Sequence, residues 1–268
     1  MEIPEIWDDL IKKRAYAVAV ESARENFVCK HCNIIYQGVG TETYIDLKYV
    51  QECKVANIEW NGRIVYIGFD LSTSNDNTSV AMVSVDDNNN IIAQVFAFIP
   101  EGRIREKTAS EKVNYQELCK TDNVIACGDR VIDYGVVEDF ILNIEDKYGV
   151  QIQAIGYDRW NALSTAQKLE NEGYNVVEIK QHSSVLHSAT KLLKEKILEK
   201  EFSYTENRLL EINFQNSKCV YDTNKNLYVS KKKSNGKVDM VVSLINACYL
   251  LEMDYFLNMA NDFTIQVL

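Results

Sequence analysis

The distribution of hydrophobic and polar residues first predicts a group of three antiparallel strands. Three apolar runs follow one another closely, at residues 64–70, 78–85 and 91–98. The polar stretches 71–77 and 86–90 separate them, and short polar stretches of this kind join neighbouring strands. We therefore predict an antiparallel meander in this part of the chain.

Beyond residue 100 the pattern alternates between helical and strand periodicity. Apolar residues at helical spacing predict helices at 110–120 (with Ser110 as a candidate cap), 133–148, 162–172, 183–200 and 237–256. Apolar runs predict strands at 152–158 and 175–179 and a hairpin at 219–230, and a brief apolar run occupies 123–127. Towards the N-terminus, residues 5–27 are predicted to form one helix, and residues 28–60 a connecting segment with little periodicity.

This order of elements is typical of the α/β ribonuclease H-like fold. It predicts a central mixed sheet, with three antiparallel strands followed by parallel strands, flanked by helices. In that fold the first strand is central and lies beside the strand that follows the first helix. Strands 64–70 and 152–158 are therefore expected to be parallel neighbours. We divide the chain into an N-terminal helix and linker at residues 1–60 and a ribonuclease H-like domain at residues 61–268.

Three aspartates occupy chemically informative positions in these elements. Asp70 and Asp158 each end an apolar strand, and Asp239 lies at the start of the last apolar helix. Ligand sites of open α/β sheets gather at the carboxyl ends of the strands. We therefore expect Asp70 and Asp158 to emerge side by side, with Asp239 brought over the same edge.

Three carboxylates at one sheet edge would suit hard divalent cations, since Mg²⁺ and Mn²⁺ prefer oxygen ligands. Two such ions about 4 Å apart activate a water and stabilise the leaving oxygen in phosphodiester hydrolysis. The sequence therefore predicts a nuclease with two bound Mg²⁺ or Mn²⁺ ions. Asp70 would bridge the ions, and Asp158 and Asp239 would each complete one of them.

Each of these residues also has a plainer interpretation. An aspartate after a strand is often only a turn former or a helix cap, so the argument depends on all three occurring together in the right elements. Asp76, in the polar turn after Asp70, is either an auxiliary acid or a turn-shaping residue. A nearby basic run forms either DNA-backbone contacts or a solvated loop; it consists of Lys231, Lys232, Lys233 and Lys237.

Charge, cysteine content and hydropathy limit the setting in which the chain works. The net charge of −10 predicts weak DNA binding by the isolated chain, because phosphate contacts supply most non-specific affinity. The seven cysteines are odd in number and scattered, which favours reduced thiols over a disulfide framework. No apolar run reaches membrane-spanning length, about 18 residues, and the N-terminus lacks a signal-peptide pattern. We therefore expect an intracellular protein that does not contact a membrane.

The three aspartates lie in three ordered motifs. The first motif, Gly68-Phe69-Asp70-Leu71-Ser72, is followed by Asp76 and Thr78. The second is Gly156-Tyr157-Asp158-Arg159-Trp160-Asn161-Ala162, followed by Leu169, Gly173 and Gln181. The third is Lys237-Val238-Asp239 with Asn246-Ala247 in the closing helix. In this order the motifs resemble the C-terminal nuclease domain of the large terminase subunit of tailed bacteriophages, over roughly residues 25–255.

The resemblance implies cleavage of concatemeric double-stranded DNA during viral genome packaging. The nuclease acids of the family carry over onto Asp70, Asp158 and Asp239. The implied partners are the terminase ATPase domain, the portal and the small terminase subunit, in the cytoplasm of the infected bacterial host. The phosphate loop GxxxxGK[ST] of the ATPase does not occur here. We therefore expect either an isolated nuclease domain or the product of a split gene.

Two alternative functions belong to other classes. An actin-like or sugar-kinase-like ATPase shares the core fold and a similar first strand. However, Ser72 stands where its phosphate-approaching glycine would be. A non-catalytic DNA-packaging docking module would keep the fold without activity, which the three intact aspartates disfavour.

Overall fold

The structure of the chain, a computed structural model, describes residues 4–19, 27–28, 30–32, 41–72, 77–159 and 161–264. Asp76 and Trp160 lie outside the described residues. The strands are β1 (Thr41–Thr43), β2 (Ile64–Asp70), β3 (Thr78–Val85), β4 (Ile91–Ile99), β5 (Val124–Ala126), β6 (Gln151–Tyr157), β7 (Val176–Glu178), β8 (Phe202–Tyr204), β9 (Lys218–Tyr221) and β10 (Leu227–Val229).

The described helices are α1 (Pro4–Ala19), α2 (Leu47–Gln51), α3 (Ile104–Glu111), α4 (Tyr115–Leu118), α5 (Tyr134–Leu142), α6 (Ile144–Tyr148), α7 (Leu163–Asn171), α8 (Ser183–Leu198), α9 (Arg208–Asn216) and α10 (Asp239–Thr264). Among the described residues, no helix is long and apolar enough to cross a membrane.

The central sheet has the strand order β5-β4-β3-β2-β6-β7, and β8 pairs with the other end of β4. Strands β2, β3 and β4 form the predicted antiparallel meander. Strand β2 also pairs in parallel with β6, with Phe69 opposite Tyr157. The predicted meander and the predicted adjacency of these two strands are both confirmed.

Helix α10 lies directly on strand β2 because Gly68 has no side chain. A Cβ atom at Gly68 would lie 2.2 Å from the carbonyl oxygen of Ser243 and 2.5 Å from the amide nitrogen of Ala247. The Ser243 hydroxyl is also hydrogen-bonded to the Ser79 hydroxyl at 2.7 Å, and Ser79 is the β3 partner of Asp70. This contact fixes the start of α10 near the end of β2.

Two apolar clusters fill the two faces of the sheet. One lies under α8, α9 and α10 and includes Tyr44, Phe202 and Phe214. The other lies under α5, α6 and α7 and includes Phe69 and Phe96. Since β2 is covered on both faces, its last residue is held in a rigid, buried position.

Part of the segment 28–60, which is predicted to be a connection with little periodicity, has regular structure, because β1 and α2 lie within it. Strand β1 pairs with β9 in a second sheet of order β1-β9-β10. Tyr44 and Val50 are fully buried in the cluster beneath α10. Three-residue strands and five-residue helices carry too few positions to show a period, so packing rather than local pattern determines them. The assignment of residues 1–60 to the trailing part of a preceding domain stays a prediction.

Two predicted helices are divided in the structure. Helix α3 ends at Glu111 because Lys112 adopts a left-handed conformation with φ of 56°, and Asn114 then caps α4 by accepting from the Glu117 amide. Ser110 is therefore inside a helix rather than at its cap. The helix expected at 133–148 is interrupted at Asn143. Strand β8 and helix α9 were not predicted.

Candidate active site

Asp70 and Asp158 lie at the same edge of the central sheet. Asp70 is the last residue of β2 and is 4% exposed. Asp158 directly follows Tyr157, the last residue of β6. Because Phe69 and Tyr157 are paired in parallel register, the next residue of each chain segment lies at the same carboxyl end. The predicted placement of these two aspartates is observed.

Asp239 reaches this edge from the first residue of α10. It is 2% exposed, and the Asn77 amide donates a hydrogen bond to its Oδ2 at 3.2 Å. Asn77 directly precedes β3, so this hydrogen bond joins the start of β3 to the start of α10. An acidic residue at a helix N-terminus is also favoured by the helix dipole.

Lys231 shows that Asp70 and Asp239 converge. Its Nζ forms an ion pair with Asp70 Oδ2 and lies 3.6 Å from Asp239 Oδ1. The two carboxylate side chains are 6% and 3% exposed, while the Lys231 side chain is 42% exposed. Lys231 therefore approaches the carboxylates from the solvent side. No sequence pattern signals this contact, because it joins residues 161 positions apart.

A second group of residues supports Asn77, whose amide contacts Asp239. The Asn77 side-chain amide donates to the Tyr115 hydroxyl at 3.1 Å, and this hydroxyl donates to Glu111 Oε2 at 2.5 Å. Burial first, and then the hydrogen bond to Glu111, raise the pKa of Tyr115 well above its ordinary value. Tyr115 therefore stays a protonated donor at neutral pH. Sequence analysis did not identify this group of residues.

Gln181 and Asn246, two residues of the resemblance motifs, contact each other. The Gln181 Nε2 donates to Asn246 Oδ1 at 3.1 Å, and Asn246 is fully buried. This hydrogen bond joins the segment after β7 to α10. Both residues therefore help to hold α10 against the sheet.

A cleft of about 1050 Å³ opens beside Asp239. It is bounded by the α3–α4 connection, by α9 and by the loop 230–238. Its lining carries five cationic and two acidic side chains, namely Lys112, Arg208, Lys231, Lys232, Lys237, Glu111 and Asp239. Lys233, the remaining residue of the predicted basic run, is exposed and is not part of this lining. The cleft is thus locally positive in a chain of net charge −10.

The donor set at this edge fits a hard divalent cation. It consists of carboxylate oxygens, the ligands that Mg²⁺ and Mn²⁺ prefer, and two of these carboxylates already hold the cationic group of Lys231. Within the part of the chain that the structure describes, no group of three His, Cys, Asp or Glu side chains is close enough to form a complete metal cluster. The third aspartate, Asp158, directly follows the neighbouring strand, β6.

The chain matches the family model described as terminase large subunit, endonuclease domain, over residues 1–254. Among solved structures, the large terminase of bacteriophage HK97 is similar at 20% identity and a TM-score of 0.73, over 91% of this chain and 50% of that chain. The large terminase nuclease of the thermophilic phage G20c is similar at 13% identity and a TM-score of 0.50, over 75% of this chain and 95% of that chain. No curated protein gives a significant match.

These comparisons confirm the predicted fold and the predicted family. The chain spans about half the length of the HK97 large terminase, and the structural likeness supports the α/β ribonuclease H-like architecture. The family match does not support the alternatives of an actin-like or sugar-kinase-like ATPase or of a docking module. Because the match covers nearly all of the sequence, the chain belongs to the family of terminase large subunit endonuclease domains.

Proposed function

We propose that this chain cleaves double-stranded DNA by metal-dependent phosphodiester hydrolysis, with Asp70, Asp158 and Asp239 as the catalytic metal ligands. The observation that supports this most strongly is the convergence of Asp70 and Asp239 on one cation while both are almost fully buried. Burying carboxylates is costly unless a cation compensates them. A site that holds them together is therefore suited to binding cations.

The roles of the three aspartates follow from the elements that carry them. Asp70, on the strand covered on both faces, would bridge two Mg²⁺ or Mn²⁺ ions, and Asp158 and Asp239 would each hold one. Bound divalent ions would supply an activated water and stabilise the negative charge on the leaving oxygen. The Asn77 amide orients the Asp239 carboxylate. Asp76 remains a candidate auxiliary acid outside the described residues.

The proposed test is cleavage of supercoiled plasmid by the 268-residue chain. Nicked and linear products are expected with millimolar Mn²⁺ or Mg²⁺, and none with excess EDTA, because water activation depends on the bound ions. Gel electrophoresis of a time course measures the rates at which nicked and linear plasmid form in each condition. Equal cleavage with EDTA and with Mn²⁺ would contradict the proposed function.

The cationic cleft is the proposed path for the DNA backbone. Lys231, Lys232 and Lys237 line it beside Asp239, and Lys233 follows on the same loop. Phosphate contacts by lysines give sequence-independent affinity that weakens with salt. The acidic remainder of the chain would repel DNA, so binding would be confined to this face.

Replacing both Lys232 and Lys237 with alanine is expected to weaken DNA binding at every sequence. A plot of log K against log salt concentration has a negative slope, and each lost phosphate contact reduces its magnitude by about 1. The magnitude of the slope should therefore be smaller by about 2 in the double variant. Fluorescence anisotropy with labelled duplex over a salt series measures the slope. The matched control is Lys120→Ala, an exposed lysine paired with Glu117 at 2.8 Å and outside the cleft lining. An unchanged slope in the double variant would exclude this path.

We further propose that the chain acts within a DNA-packaging assembly in the cytoplasm of the infected bacterial host. Its partners there would be the terminase ATPase domain, the portal and the small terminase subunit. The family membership supports this setting, and the span of about half the HK97 large terminase leaves room for the ATPase domain in a longer or second chain. The part of residues 1–60 that precedes β1 would then connect the two domains.

A further inference from the structure

The ion pair between Lys231 and the two buried aspartates occupies the position proposed for metal. Its Nζ contacts Asp70 and lies 3.6 Å from Asp239 Oδ1. An ammonium group and a divalent cation cannot both use the same carboxylate oxygens at close range, because their positive charges repel. Lys231 and a metal ion therefore compete for this pair of carboxylates.

The backbone on both sides of Lys231 is held by hydrogen bonds. The Ser230 amide donates to the Lys218 carbonyl at 2.9 Å, and the Lys218 amide donates to Ser234 Oγ at 3.0 Å. The Asn235 amide donates to the Asn216 carbonyl at 3.0 Å. These bonds tie the loop to β9 and to the end of α9. These bonds restrain the backbone of the loop, whereas the long Lys231 side chain has several rotatable bonds through which its ammonium group can change position.

We propose that Lys231 is an exchangeable counter-ion of the active site. In the metal-free protein its ammonium group neutralises Asp70 and Asp239, and binding of a divalent cation displaces it. Since Lys231 also lines the cationic cleft, the displaced ammonium stays within that cleft, where it contacts the phosphate backbone of the DNA. This inference rests on the proposed function and assigns Lys231 as a positioning residue that links metal loading to DNA binding.

The exchange has a measurable consequence for metal affinity. When a ligand binds only one state of a protein, its apparent Kd equals the intrinsic Kd divided by the fraction of molecules in that state. If the ammonium occupies the carboxylates in about 90% of molecules, its removal should tighten metal binding about tenfold. If Lys231 stayed paired with Asp70 in the metal-bound protein, removing its ammonium group would not tighten metal binding.

Calorimetric titration of Mn²⁺ without DNA tests this consequence. We expect Lys231→Met to bind Mn²⁺ about tenfold more tightly than the unchanged chain. The matched control is Lys232→Met, which removes one charge from the neighbouring position of the same loop and should change the Kd by less than about twofold. Equal or weaker binding by Lys231→Met, with normal binding by the unchanged chain, overturns the exchange and leaves the proposed nuclease intact. Absence of Mn²⁺ binding in all three proteins overturns both the exchange and the proposed metal-dependent nuclease.

A second measurement uses the unchanged chain and does not depend on how the variant folds. Acylation of lysine amines is followed by mass spectrometry with and without saturating Mg²⁺, with saturation judged by the shift in melting temperature. Ion-paired amines react slowly, so Mg²⁺ should raise the reactivity of Lys231 several-fold while that of Lys232 stays constant. Unchanged reactivity of Lys231 at saturating Mg²⁺ overturns the proposal.

Discussion

Replacing Asp70 with asparagine is expected to reduce metal-dependent DNA cleavage at least about a thousandfold. Charge stabilisation by catalytic metal ions is worth several kcal/mol, and each step of about 1.4 kcal/mol is tenfold in rate. Asparagine keeps the shape of the side chain but loses the negative charge that would bridge the ions. Single-turnover cleavage of a labelled duplex at saturating Mn²⁺ measures the loss.

The matched control is Asp87→Asn in the turn between β3 and β4. The Asp87 side chain is 93% exposed and lies at the opposite end of β3 from Ser79, the partner of Asp70. This variant should keep its cleavage rate within about twofold, since surface substitutions away from a site have small effects. Unchanged cleavage by Asp70→Asn, at normal melting temperature, would remove Asp70 from the mechanism.

Replacing Gly68 with alanine is expected to destabilise the fold by about 3 kcal/mol, the upper part of the range for overpacking. The added methyl group would lie 2.2 Å from the Ser243 carbonyl oxygen and 2.5 Å from the Ala247 amide nitrogen. Both are backbone atoms of a helix and cannot rotate away. Helix α10 must then move off strand β2, and Asp239 moves with it. Chemical denaturation gives the change in stability, and the cleavage assay should show reduced activity.

Two other glycines provide a graded comparison. At Gly156 a methyl group would meet the ends of the Ile179 and Leu250 side chains at 2.5 and 3.0 Å, and such ends can repack. Gly156→Ala should therefore lower the free energy of unfolding by less than Gly68→Ala does. At Gly135, in the first turn of α5, the nearest atom to an added methyl group is Asp133 Oδ1 at 3.1 Å. Gly135→Ala should therefore change the free energy of unfolding by less than about 1 kcal/mol. If Gly68→Ala were as stable as Gly135→Ala, the described packing of α10 would be wrong.

The parts of the fold that carry long, regular patterns could be predicted from the sequence. Strand β2 reads as an unbroken apolar run because it is covered on both faces, and the meander follows from the polar turns around it. The positions of Asp70, Asp158 and Asp239 follow from the elements they end or begin. The register of β2 with β6 then brings the first two to one edge.

The remaining features depend on contacts between distant residues, and local pattern does not encode them. Strand β1 and helix α2 are too short to show periodicity; β1 is held by its pairing with β9, and α2 by the burial of Val50 in the core. Tyr115 contacts Asn77 across 38 residues, and Lys231 contacts Asp70 across 161. From the sequence, Lys231 is a member of a basic run that either contacts the DNA backbone or is solvated; only the fold shows that its ammonium group contacts the Asp70 carboxylate.

The most direct test of the proposed metal site is anomalous diffraction from crystals of this chain soaked in Mn²⁺. The account predicts two peaks about 4 Å apart, bounded by the carboxylates of Asp70, Asp158 and Asp239, with the Lys231 ammonium withdrawn from Asp70. Peaks at other residues only, or no peak beside Asp70 in crystals with manganese bound elsewhere, would contradict it.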